Sequence, residues 1–192
     1  MISRRTAGVR PAPPVPVSTP SARPGEKLAE VAAQIRAAGR NALTLEVDLS
    51  ESAAATQVIE RTRAEFGRID ALLNIAGAVA GLDLFQLTDQ QWDDGFALKF
   101  HGARRLTLQA WEALRESKGA VVFMPGNAAV TPRVSGAAVA AINAAIEALA
   151  KAFADRGIQD GAQVNSVSPG AVMTGRRLHA GKTGDAAKHQ PR

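Results

Sequence analysis

Short polar or glycine-containing motifs follow three of the apolar runs in this sequence. They lie after residues 42–47, at the end of 69–75 and after 163–167. Their members are Asp48, Leu49, Asn74, Ala76, Gly77, Pro169, Gly170 and Thr174. Each also has a structural interpretation: the carboxylate can cap a helix, the asparagine and its glycine can shape a turn, and the proline–glycine pair can end a strand. Whether these residues form a binding or catalytic site therefore depends on whether the fold brings them together.

Two residue types are missing from all 192 positions, namely tyrosine and cysteine. Without a tyrosine, no phenol can act as a proton donor or acceptor. Without a cysteine, a disulfide framework and a Cys-ligated zinc site are excluded. Any catalytic chemistry must therefore use other side chains.

The net charge of +5 comes from the two ends of the chain. Residues 1–25 carry four arginines and no acidic residue, and 176–192 carry five basic residues and one acidic residue. The body between them is slightly acidic, and only 4% of residues are aromatic. We therefore expect no nucleic-acid binding, which needs basic residues and stacking aromatics on a folded face. The most apolar run, 136–150, is interrupted by Asn143 and Glu147, so we expect no membrane span and a cytoplasmic location.

The remaining sequence alternates between helical and strand-like patterns. Helices are predicted from 26 to Gly39, from a cap at Ser50 or Ser52 to Phe66-Gly67, over 89–117 with Thr88 as cap, and over 135–155 with Gly157 as stop. Strands are predicted at 42–47, 69–75, 120–124 and 163–167. This alternation predicts an α/β fold with a doubly wound parallel sheet.

The two ends differ from this body in composition. Six prolines fall within 11–24, and proline lacks the amide donor that a helix needs. We therefore expect residues 1–25 to form a disordered or extended leader. The folded domain is predicted over 26–177, followed by a basic polar tail at 178–192.

Taken together, the motifs resemble the classical short-chain dehydrogenase/reductase family over about 26–177. The most specific part is the Asn-Ile-Ala-Gly tetrad at 74–77 combined with the run from Val164 to Thr174. The resemblance implies a Rossmann-like domain that binds NAD or NADP and oxidises alcohols or reduces carbonyls. It also implies that Asp48 bonds the adenine, that the backbone at 74–77 lies beside the adenine ribose, and that Pro169-Gly170 with Thr174 lines the nicotinamide.

The start of the sequence departs from the family pattern. The family opens with a strand, a T-G-x-x-x-G-x-G loop and a helix whose N-terminus receives the pyrophosphate. That loop pattern is not found here, and a strand-helix-strand unit needs about 30 residues or more. We therefore expect a truncated or degenerate member that lacks this first unit. The strand at 42–47 would then have no partner, and the positions that select NAD or NADP would be missing.

All four catalytic positions of the family also differ. Alignment of the motifs puts Lys99 in place of the helix asparagine, Gly126 in place of the serine, Val139 in place of the tyrosine and Asn143 in place of the lysine. Valine cannot transfer a proton, so we expect impaired catalysis. Lys99 and Asn143 exchange the family's two residue types, so an ammonium and an amide could still meet near the nicotinamide ribose. In the alternative interpretation, Lys99 is a solvated helix lysine and Asn143 a small polar residue in an alanine-rich face.

Two further interpretations remain open on the sequence alone. The helices at 89–117 and 135–155 correspond to the pair through which the family forms dimers and tetramers, so the chain could be a homo-oligomer or a non-catalytic interaction protein. It could also be an incomplete reading frame without activity. The family's substrate-covering helices are not recognisable after Thr174, so the substrate stays undefined.

Overall fold

The computed structural model describes residues 17–19 and 26–170. Within these ranges, five strands alternate with helices along the chain. The strands are β1 (Val17–Thr19), β2 (Thr44–Glu46), β3 (Ala71–Asn74), β4 (Ala120–Phe123) and β5 (Gln163–Ser166). The helices are α1 (Glu26–Ala37), α2 (Ala54–Phe66), α3 (Asp89–Gly95), α4 (Ala103–Ser117) and α5 (Ala137–Asp160), and a π-helical segment (Phe96–Gly102) joins α3 to α4.

All strand pairs are parallel, which confirms the predicted fold class. β1 pairs with β2, and β3, β4 and β5 form a second sheet in that order. The register places Asn74 opposite Phe123, and Phe123 opposite Ser166. Because the strands run in the same direction, the segments that follow β3, β4 and β5 lie along one edge of their sheet.

The strand β1 corrects two sequence-based expectations. It lies inside the segment 1–25, and its register with β2 runs from Val17 opposite Thr44 to Thr19 opposite Glu46. The expectation that the strand at 42–47 has no partner is therefore wrong, and the fold begins before Glu26. In the doubly wound order 3-2-1-4-5-6, β1 takes the place of the second strand. The positions that select NAD or NADP would then fall at 20–25, outside the described residues, as do the rest of the leader and the tail.

The predicted helix ends are partly correct. The predicted cap Thr88 accepts a hydrogen bond from the Gln91 backbone, and the Gln91 side chain returns one to the Thr88 N–H, which forms a capping box. Gly67 ends α2 in the left-handed conformation, as expected. The start of α2 was predicted wrongly, because it begins at Ala54 without a side-chain cap and Ser50 bonds Asp48 instead.

The end of α5 also differs from the prediction. The helix continues through Gly157 to Asp160, and Gly161 ends it with φ of 75°. Gly157 is required for a different reason: a Cβ at this position would lie 2.3 Å from the Ala162 carbonyl oxygen. The glycine permits close approach of the following turn and does not stop the helix.

The hydrophobic core lies between the sheet and the long helices. Its largest fully buried side chains are Phe123 and Val121 from β4, Leu114 and Thr107 from α4, and Ile142 from α5. The stretch Val134–Asp160 is long and apolar enough to span a membrane by length and composition. Its apolar character has a local explanation, because Ile142, Ile146 and Ala150 are buried in this core.

Candidate functional site

Asp48 forms a tight polar turn after β2. Its carboxylate accepts hydrogen bonds from the Ser50 backbone N–H at 2.9 Å and from the Ser50 hydroxyl at 2.7 Å. These bonds lower the pKa of the exposed Asp48 carboxyl, because they stabilise the ionised form. The neighbouring Leu49 is buried, and its carbonyl oxygen would lie 2.9 Å from a Cβ at Gly102. Asp48 is thus a fixed, solvent-facing anion that can accept hydrogen bonds, and it does not cap α2.

Asn74 is the last residue of β3 and is buried. Its side-chain amide donates to the Thr107 hydroxyl at 3.1 Å, which links β3 to α4. Its carbonyl oxygen Oδ1 is buried and has no hydrogen-bond partner among the described residues. The Asn74 backbone oxygen accepts from the Met124 N–H at 3.2 Å. The asparagine therefore joins elements and does not only shape a turn.

Gly77 lies against the side chain of Lys99. A Cβ built at Gly77 would be 2.8 Å from the Lys99 Cδ and 2.9 Å from its Cγ. These distances are shorter than real Cβ contacts, so any larger residue would displace the lysine. The glycine of the tetrad thus makes room for a side chain from the π-helical segment.

Lys99 and Asn143 meet, as the exchange of residue types suggested. The Lys99 Nζ donates to the Asn143 side-chain oxygen and, at 2.8 Å, to the Pro125 carbonyl oxygen. Asn143 is only 2% exposed, whereas Lys99 is partly buried. The contact connects three elements: the π-helical segment, the loop after β4 and α5. The interpretation of Lys99 as a solvated helix lysine is therefore wrong.

The other two positions that align with the family's catalytic residues are Gly126 and Val139. Gly126 has φ of 112°, and a Cβ there would lie 3.2 Å from the Asn143 Nδ2. A serine at this position would be strained, because this region of backbone conformation is used almost only by glycine. Val139 is half-buried one turn before Asn143 on α5, and it contributes no polar group.

The segment after β5 is described only in part. Pro169 is half-buried and Gly170 is exposed, and Ser168 donates to the Glu147 carboxylate on α5 at 2.9 Å. Thr174 lies outside the described residues. Pro169 and Gly170 thus occupy the same sheet edge as 74–77 and 124–126, in agreement with the register of the strands.

His101 is a polar group that the sequence did not single out. Burial and the nearby charges of Arg104 and Arg105 lower its pKa, so its neutral form is favoured. Its Nδ1 is buried without a partner in the described part of the chain. The only sequence signal was its position two residues after Lys99. No group of three or more metal-ligating side chains is found within 26–170.

Comparison with known proteins identifies the family. A model of short chain dehydrogenases matches residues 15–183. The chain belongs to the short-chain dehydrogenase family. Members of this family are NAD(P)-dependent oxidoreductases, and the match includes β1, in agreement with a fold that begins before Glu26.

Individual members of the short-chain dehydrogenase family show the extent of the similarity. The chain is 31% identical to the 2,3-dihydro-2,3-dihydroxybenzoate dehydrogenase of Bacillus subtilis over 150 residues, which is 78% of this chain and 58% of that protein. It is 35% identical to the enzyme of that name from Escherichia coli over 129 residues, covering 67% and 52%. The chain therefore spans just over half the length of these curated relatives.

A solved structure extends the comparison to the fold. The 3-oxoacyl (acyl-carrier-protein) reductase of Agrobacterium tumefaciens, solved with NADP bound, is 27% identical. It superposes with a TM-score of 0.80, covering 90% of this chain and 66% of that one. The fold is thus similar to that of this reductase over the compared region.

Proposed function

We propose that this chain binds NAD or NADP at the carboxyl ends of its strands and that its hydride-transfer activity is impaired. The observation that carries the proposal is the Lys99–Asn143 contact over Gly77. In this contact, the Lys99 ammonium replaces the asparagine amide of the family pattern, and the Asn143 amide replaces the lysine ammonium. The proton-donor position beside it is Val139.

The described residues fit part of such a cofactor. Asp48 offers an ionised acceptor for the adenine, and Gly77 keeps the backbone at the end of β3 free of a side chain. The Lys99–Asn143 pair would face the nicotinamide ribose, and Pro169-Gly170 would line the nicotinamide. When bound, the nicotinamide supplies or accepts a hydride. The residues that would contact the pyrophosphate are not among these.

Proton transfer is the step that this chain performs poorly. Reduction of a carbonyl needs a proton donor at the developing alkoxide, and general acid catalysis commonly contributes 10² to 10⁴ in rate. Val139 cannot donate a proton, and the sequence has no tyrosine. The Lys99 ammonium is a cationic donor in this site, but it donates to the Pro125 and Asn143 oxygens. We therefore infer a rate at least about 10² below that of a member with the full catalytic set.

A second candidate function is a non-catalytic one. The outer face of α5 exposes Ala141, Ala144 and Ala148, and α4 exposes Leu108. Small and apolar residues allow close helix approach, so the helices of 89–117 and 135–155 can form a homo-oligomer. A cytoplasmic location without nucleic-acid or membrane partners belongs to the same set of proposals.

Titration with the cofactors distinguishes the two candidates. NADH and NADPH are added to the purified chain, and binding is followed by calorimetry and by nicotinamide fluorescence. Micromolar binding of either supports the cofactor function. If neither dinucleotide binds at millimolar concentration while the chain sediments as a dimer or larger species, the interaction function replaces it.

A further inference from the structure

A side-chain hydrogen bond joins the segment after β5 to α5. The Ser168 hydroxyl donates to the Glu147 carboxylate at 2.9 Å. The backbone bonds of the sheet end just before this point, where the Val167 N–H donates to the Phe123 carbonyl oxygen at 2.9 Å. Among the described residues, the bond to Glu147 is the one hydrogen bond that 168–170 make. Beyond the sheet, Glu147 is thus the hydrogen-bonding partner of this segment.

The helix that carries Glu147 is held firmly in the core. On α5, Ile142 and Ile146 are 0% and 2% exposed and pack in the hydrophobic core. Because protein cores are close-packed, a helix with such a buried face moves little. A hydrogen bond from a surface segment to this helix therefore limits the movement of that segment.

Glu147 and Asn143 lie one turn apart on α5, and residues four positions apart share a face of a helix. The buried Asn143 side-chain oxygen accepts from the Lys99 ammonium. The half-buried Glu147 carboxylate accepts from Ser168. One face of α5 therefore holds both the Lys99 side chain and the start of the segment 168–170, and the helical spacing of the two acceptors sets where they lie relative to each other.

The Ser168–Glu147 bond has a local effect. Ser168 is exposed, and polar pairs at the surface contribute little to the free energy of unfolding. A surface segment with few other hydrogen bonds opens independently of the core when it loses one. We therefore expect loss of this bond to loosen 168–170 while the fold stays intact.

We propose that Glu147 is a positioning residue, which holds the segment 168–170 in a fixed place relative to the Lys99–Asn143 contact. The inference rests on the proposed function, in which Pro169-Gly170 lines the nicotinamide and the Lys99–Asn143 pair faces its ribose. Glu147 acts through Ser168 and not by contact with the dinucleotide. A bound nicotinamide would then lie between two groups that a single helix aligns.

The first test measures the order of this segment in the full chain without cofactor. Backbone ¹⁵N order parameters of Ser168 and Gly170 should be near about 0.85, the value of rigid backbone, in the unmodified chain. In Glu147→Ala they should fall below about 0.6, the range of flexible backbone. In Glu147→Gln they should stay close to the unmodified values, because the amide oxygen still accepts. Unchanged order in Glu147→Ala, or an equal loss in both variants, would overturn the proposal.

The second test measures cofactor binding by the same proteins. NADH and NADPH are titrated, and Glu60→Ala, which removes an exposed glutamate from α2, is the matched control. We expect Kd to rise at least about tenfold in Glu147→Ala and less than about threefold in Glu147→Gln, because misplaced binding groups lose affinity. Glu60→Ala should leave Kd unchanged, and the urea midpoint should be the same in all four proteins. An unchanged Kd in Glu147→Ala, or a lower midpoint that accompanies the weaker binding, would contradict a positioning role.

The two tests also separate this inference from the proposed function. If the unmodified chain binds neither dinucleotide, the proposed function fails, while the order parameters still decide whether Glu147 holds the segment. Ser168→Ala removes the donor, so it should loosen Gly170 as much as Glu147→Ala does, and the double variant should add no further loss. A further loss in the double variant would show that the two residues act separately, against the proposal.

Discussion

The Lys99 ammonium donates to the Asn143 side-chain oxygen, so a partly buried polar contact joins the π-helical segment to α5. The family pattern places an asparagine and a lysine at these positions in the opposite order. The exchange keeps an ammonium and an amide in contact. The ammonium now belongs to the π-helical segment and the amide to α5. The predictions below test what this pair and its neighbours do.

Removal of the ammonium should weaken both folding and cofactor binding. In Lys99→Ala, the Pro125 carbonyl and the buried Asn143 amide lose a donor, which costs about 1–3 kcal/mol of unfolding free energy. We also expect the dissociation constant for NADH or NADPH to rise about tenfold, a change of about 1.4 kcal/mol. Urea denaturation and calorimetry measure the two effects.

The control for this variant is Lys151→Ala, which removes an exposed lysine from α5. It should change neither quantity. If Lys99→Ala loses stability but binds the dinucleotide as tightly as the unmodified chain, the pair has a structural role and no contact with the cofactor.

Gly77 and Lys99 should be energetically coupled. In Gly77→Ala, the new Cβ would lie 2.8 Å from the Lys99 Cδ, so the lysine must shift, which costs about 1–3 kcal/mol. In the double variant with Lys99→Ala, this additional cost should largely vanish. Thermal or urea unfolding of the four proteins gives the coupling energy. Gly81→Ala, where a Cβ meets nothing within 4 Å, is the matched control and should leave stability nearly unchanged.

The proposed function predicts that a tyrosine at position 139 supplies a proton donor. Positions 139 and 143 are four residues apart on α5 and share a face, so the phenol of Val139→Tyr would lie near the Lys99–Asn143 contact. We expect kcat/KM for reduction of a small ketone to rise by at least about tenfold. Val139→Phe, which has the same ring without the hydroxyl, should show no rise. Equal activity of both variants would show that proton donation is not the limiting defect.

Stability should fall as the solution becomes acidic, in part through His101. The pKa of His101 is lowered in the folded chain from its ordinary value of 6.5. As the pH falls below 6.5, this histidine therefore binds a proton in the unfolded chain before it does so in the folded chain. The stabilisation is fully present above that pH and is lost as the pH falls towards the lower pKa of the folded state. Melting temperatures at pH 7.5 and 5.5 should differ less for His101→Asn than for the unmodified chain. An unchanged difference would assign the pH dependence to other groups.

Much of the fold followed from the sequence because its signals are local. The strand β4 is a short apolar run, and α3 begins at a Thr88 capping box. The apolar pattern and the capping residue were therefore enough to predict these two elements. The strand β1 was missed because it has only three residues between Pro16 and Pro20, and its stability depends on pairing with a distant strand. The π-helical segment has no composition signal of its own and was also missed.

The site was predictable to a similar degree. The Lys99–Asn143 contact followed from motif alignment, since two exchanged residue types suggested a shared location. The burial of the Asn74 Oδ1, which has no hydrogen-bond partner among the described residues, could not be foreseen, because it depends on how β3 packs against α4. Local patterns therefore identified the residues, while their contacts became visible only in three dimensions.

The backbone at Gly126 limits which residue this position can hold. With φ of 112°, it accepts almost no residue except glycine, and a serine would cost about 1–3 kcal/mol until the loop rearranged. A hydroxyl-bearing side chain at position 126 therefore requires a different path of the loop after β4, so Gly126 fixes the shape of the backbone beside Asn143.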